Sequence, residues 1–123
     1  MSARIFQQTY LVPGAQGADH TFTWKAPFGC TLIHVSMSNS SSNAGTLDIG
    51  ESTDTDGWKD GVAFGVSGAC TELAAASDFN GALMDADEVD YPHLDDGDIF
   101  TIIIKDHASH MANACVVCTW MEG

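Results

Sequence analysis

The chain has 123 residues, 45% of them apolar, and sets seventeen Asp and Glu against four Lys and Arg for a formal charge of −13. That length supplies one hydrophobic core, so residues 1–123 are expected to form one domain. No stretch is long and apolar enough to span a bilayer or act as a secretion signal, and the acidic balance opposes direct binding to nucleic acid, which needs clustered Lys and Arg.

In chain order, "IFQQTYLV" reads as a strand, with residues 1–12 either an N-terminal arm or an edge strand, and "HTFTWKAP" reads as a second. In "CTLIHVSM" the alternation sends Thr31, Ile33, Val35 and Met37 to one face and Cys30, Leu32, His34 and Ser36 to the other. The polar loop "SNSSSNAG" then leads into "TLDIG", and the two strands are predicted to form a hairpin. "ESTDTDGWKDG", residues 51–61, is expected as a loop, followed by short strands in "VAFGV" and "GACTEL". "ELAAASDF" allows one helical turn, too short to organise a fold. "DDGDIFTIIIKD" opens on a turn and places Phe100, Ile102 and Ile104 on one face of a buried strand, with Ile99 and Ile103 on the other. The last strand, "ANACVVCTWMEG", has Ala114, Val116, Cys118 and Trp120 on one face and Cys115, Val117, Thr119 and Met121 on the other. Seven or eight short strands with turn signals between them predict an all-β fold, an antiparallel β-sandwich or jelly roll.

The charge is not spread evenly. Asp48 to Asp98 contains fourteen acids and a single base, Lys59, whereas Arg4, Lys25 and Lys105 balance Asp19, Asp106 and Glu122 outside that window. The window holds the calcium-loop candidates Asp54, Asp56 and Asp60. With Gly57 at the sixth position of an EF-hand loop they fall at the third, fifth and ninth, but Ala63 stands where the closing bidentate carboxylate belongs. The loop reading is therefore taken, and no metal or cofactor is expected. His107, His110, Cys115 and Cys118 have the element types of a zinc site. Four residues separate the pairs, however, and a regular strand sends Cys115 and Cys118 to opposite faces. The four cysteines are expected to be reduced thiols. No nucleophile elbow is present, and Asp85 with Asp87, or Asp95 with Asp96, pairs carboxylates without the length of an ordinary glycosidase, so no enzymatic activity is expected. Of the aromatics Trp24, Phe28, Trp58, Phe64, Phe79, Tyr91 and Trp120, those nearest predicted loops are Phe28, Trp58 and Tyr91, the candidates for an interface.

"WKAPFGCTLIHVSMSNSSSNAGTLDIGESTDTDGW", "LDDGDIFTIII" and "CVVCTWMEG" together resemble the strand-and-turn layout of small structural proteins of tailed bacteriophages, over about three fifths of the chain. The resemblance implies a capsid decoration, or cement, protein. Such a protein is a jelly-roll-like virion component assembled in the host cytoplasm and bound to the outer capsid surface. Its partner would be the major capsid protein, it would be a homo-oligomer, most simply a trimer, and neither nucleic acid nor membrane would bind it. The acidic window should face solvent or basic capsid patches, leaving residues 1–28 and the C-terminal strand for contacts between copies or with the capsid. The alternative from the same residues is a carbohydrate- or receptor-binding β module of a tail or fibre, using loop aromatics and acids.

Overall fold

The computed structural model describes residues 4–85 and 87–123. Among them nine strands form two sheets: β1 (Ile5–Ala15), β2 (His20–Lys25), β3 (Cys30–Ser38), β4 (Thr46–Glu51), β5 (Asp54–Ala63), β6 (Thr71–Leu73), β7 (His93–Leu94), β8 (Ile99–Lys105) and β9 (Ala112–Glu122). A single 3-10 turn, Ala76–Asp78, accounts for the helical signal in "ELAAASDF". One sheet runs β1-β9-β3-β6, with the short β7 also paired to β3, and the other runs β2-β8-β4-β5. Every strand pair is antiparallel. The chain is thus one long hairpin with its tip between β4 and β5, whose successive rungs (β1 with β9, β2 with β8, β3 with β6 and β7) alternate between the sheets. That is the jelly-roll connectivity.

The alternating strands bury their inner faces against each other. β9 contributes Ala114, Val116, Cys118 and Trp120, and β8 contributes Phe100, Ile102 and Ile104. Trp120 is the hub: its ring meets Phe100 edge-on at 5.0 Å, Trp24 at 5.5 Å, Trp58 at 6.3 Å and Phe6 at 6.4 Å. Its indole N–H donates to Gln8 Oε1 at 2.9 Å, and Tyr10 O–H donates to the same oxygen at 3.0 Å. The polar ends of two large aromatics are thereby satisfied by one amide.

Three expectations are corrected. β3 and β4 do not form a hairpin. Asn39, buried, donates through Nδ2 to the carbonyls of Asn43 and Gly65 and accepts at Oδ1 from the Ser41 N–H. These bonds organise the serine-rich loop as a crossing from one sheet to the other rather than as a turn. Within β3, the register slips between Leu32 and His34, so the buried series is Cys30, Leu32, Val35, Met37 and no single parity describes the strand. Finally, residues 51–61 are not a loop. Glu51 pairs with Asp54 around Ser52-Thr53, and Asp54–Ala63 is strand β5, because Trp58 is carried into the core at 2% exposure.

Candidate functional site: an acidic edge and the pocket beside it

β4 and β5 close the end of their sheet with the densest acids of the chain. Asp48 points outward from β4 yet is buried, and its carboxylate, Asp56 and Asp60 each offer an oxygen within 4.8 Å of the others. Of the calcium candidates Asp54, Asp56 and Asp60, the fold therefore gathers two and exchanges Asp54 for Asp48. Asp48 was not singled out because strand parity, not spacing within the acidic run, brings it across from β5. The group already holds its own cation: Lys105 Nζ, from β8, lies 2.7 Å from Asp48 Oδ2, and the Gly61 N–H donates to Asp48 Oδ1 at 2.9 Å. The hydrogen bond to Asp48 and its charge raise the Lys105 pKa above the usual lysine value. Asp56 is pushed up, first by its hydrogen bond with Asp54 and then by desolvation and the neighbouring acids. Lys105 thus offsets one of the three clustered carboxylates, and the edge remains acidic.

Beside it, the segment between β6 and β7 folds back over β5 and encloses a pocket of about 240 Å³, lined by Glu51, Trp58, Asp85, Glu88, Tyr91 and His93 among others. Burial, then the charges of Asp98 and Asp95, raise the Glu51 pKa. The His93 ring is already engaged, with Nδ1 3.0 Å from Thr31 Oγ1 and Nε2 3.3 Å from Asp95 Oδ1. Of the paired carboxylates, Asp85 builds a turn, its Oδ1 accepting from the Asp87 N–H at 2.9 Å, whereas Asp95 gives its N–H to Asp98 Oδ2 at 2.9 Å and its own carboxylate lies against His93.

The zinc candidates are not brought together. Cys118 is fully buried between the sheets while Cys115 lies on the opposite face of β9. His107 Nδ1 accepts from the Ser109 N–H, and His110 Nδ1 meets Asp106 Oδ2, both within the turn before β9. All four cysteines are free thiols. Burial pushes the Cys30 thiol up to about 11 and Cys118 up to about 12, away from any reactive range. Among the interface candidates, Trp58 is corrected to a core residue. Tyr91 is half-buried, with its O–H donating to the Ala74 carbonyl at 2.9 Å and its ring against Phe79. Phe28 is half-buried against Phe6, with the Arg4 guanidinium 5.7 Å from its centroid.

The architecture is that of a jelly-roll β-sandwich with one acidic edge. No family model matches the chain, and no curated protein matches it. Among solved structures it is similar to a chain titled "Cyanophage Pam1 capsid asymmetric unit", with a TM-score of 0.58 over 99% of this chain and 87% of that one, at 10% identity. At that identity the likeness is one of fold.

Proposed function

We propose that the chain is a viral structural protein that decorates a phage head, binding the outer capsid surface and stabilising it by contact rather than by chemistry. The observation that carries this reading is the end-to-end correspondence of fold with a chain of a phage capsid assembly, 99% of one and 87% of the other, so that the entire sandwich and not a fragment of it is shared. The site agrees with it. Lys105 offsets one of the carboxylates gathered at the β4–β5 edge, which leaves that edge net acidic and suits a surface facing basic capsid patches. The carbohydrate-binding alternative has less support, because Trp58 is buried and the Tyr91 hydroxyl is already bonded.

The test is co-sedimentation of the recombinant chain with heads of the encoding phage depleted of it. The chain should pellet with heads, raise the temperature at which they release DNA, and dissociate as salt is raised. Failure to bind heads, or pelleting with host cells instead, overturns the proposal.

A further inference from the structure

A sheet edge exposes a row of unpaired backbone N–H and C=O groups, and folded proteins blunt it with charge, bulges, shortness or a covering segment. Three of the four edges of this sandwich are blunted. β6 and β7 have three residues and two. β5 carries Asp54, Asp56, Lys59 and Asp60 and slips register twice against β4. It is also covered, since the N–H groups of Gly81 and Leu83 donate to the carbonyls of Trp58 and Gly57 at 3.0 and 2.8 Å. β2 has six residues with His20 and Lys25 at its ends.

Among the described residues, β1 has none of these devices from Ile5 to Val12; its one register slip and Pro13 fall beyond Val12, at the end of the strand. It runs eleven residues, pairs with β9 without a slip from Ile5 to Val12, and holds no Asp, Glu, Lys, Arg or His. Glu122 N–H donates to the Arg4 carbonyl, so the even residues of β1 bond β9 and the alternation aims the backbone of Ile5, Gln7, Thr9 and Leu11 at the open edge. Those same four residues turn their side chains outward, with Ile5 and Leu11 at 65% and 51% exposure.

We infer that this edge pairs with β1 of a second copy, antiparallel about a two-fold axis at Gln8, joining two sandwiches through one continuous sheet. In that register Ile5 faces the second copy's Leu11 and Gln7 faces its Thr9. Apolar meets apolar, amide meets hydroxyl, and every outward donor and acceptor of the four residues is used in both copies. A two-fold contact of this kind is self-complementary by symmetry.

Charge selects a second copy as the occupant. Phe6 packs on Trp24 at 6.0 Å and Tyr10 on Phe22 at 5.4 Å, so β1 lies over β2, at the side of the sandwich away from β5. Two chains of −13 charge meeting at β1 present neutral strands to each other and hold their acidic β4–β5 edges on opposite outer sides. An antiparallel edge pair closes at two, so the dimer is the unit this edge builds in place of the trimer implied by resemblance. The inference stands apart from the capsid reading and is tested without a capsid.

The experiment is light scattering on the full chain, with hydrogen exchange. The wild-type chain should have twice the monomer mass, with the Ile5, Gln7, Thr9 and Leu11 amides protected. Thr9→Pro deletes an N–H that the β9 ladder does not use, so it should halve the mass while the circular dichroism and melting cooperativity persist. Leu11→Lys, which sets a charge against the second copy's Ile5, should do the same and serves if the proline variant fails to fold. A monomeric wild-type chain overturns the inference, as does a folded variant that remains dimeric.

Discussion

At the scale of single residues, the decisive feature is a charge buried on the outer face of a sheet, on a strand paired on both sides. Asp48 is outward on β4 but covered, and Lys105 on the neighbouring strand supplies its counter-charge at 2.7 Å. Removing the ammonium leaves a buried carboxylate with the Gly61 N–H as its remaining partner, beside Asp56 and Asp60. Lys105→Met should therefore lower unfolding stability by about 2 kcal/mol, measured by urea denaturation. The sign with pH follows from the raised Lys105 pKa. The contribution is complete below the ordinary lysine value and is lost as pH rises through the folded one, so the difference between wild type and variant should shrink on the alkaline side. The acidic run imitates a calcium loop in spacing, yet it is built as strand β5, and the cation at its carboxylate cluster is the Lys105 ammonium reaching over from β8.

Among the elements, β5 and the segment that covers it are locked by two glycines. A Cβ on Gly81 would fall 2.4 Å from the backbone carbon and oxygen of Gly57, atoms held in the sheet and unable to retreat. Gly57 is equally confined, although its nearest neighbour is the flexible end of Leu83. The close approach is what allows the N–H groups of Gly81 and Leu83 to cap the β5 carbonyls and blunt that edge. Gly81→Ala should cost about 1–3 kcal/mol as overpacking and should raise hydrogen exchange in β5 ahead of β8 and β9. Equal loosening of all strands would show that the covering segment does not hold this edge separately. The contrast with β1 gives the molecule its polarity: one outer edge is charged, bulged and covered, the other neutral and in unbroken register from Ile5 to Val12, with no described segment over it.

At the scale of the whole molecule, Cys30 on β3 and Cys118 on β9 lie beneath the same aromatic core, and only unfolding exposes them. Cys70 is exposed and Cys115 half-exposed on the outer face of β9. A disulfide reagent should modify Cys70 first and Cys115 second in the native protein, whereas Cys30 and Cys118 should react at the rate of global unfolding and all four should react in denaturant. Rapid native labelling of Cys118 would mean that the sandwich opens between its sheets without unfolding.

What the sequence determined by itself follows from short-range rules. Period-two alternation marked β8 and β9 and divided their residues between the two faces as the structure has them, since neither strand slips register against its neighbours between Ile99 and Ile104 or between Ala114 and Trp120 on the β1 side. The same rule separated Cys115 from Cys118, and the all-β jelly roll followed from the number and spacing of such strands. What only the tertiary structure decided lay where long-range partners override local signals. The Leu32–His34 slip exists because β3 must match β9, and the serine-rich loop crosses between sheets because Asn39 finds the Gly65 carbonyl, twenty-six residues away. Residues 54–63 became a strand because burying Trp58 outweighs the turn preference of Asp and Gly around it. Asp48 joined Asp56, Asp60 and Lys105 for the same reason: β8, β4 and β5 are neighbours in the sheet, and neighbourhood of that kind is a property of topology that no spacing along the chain encodes.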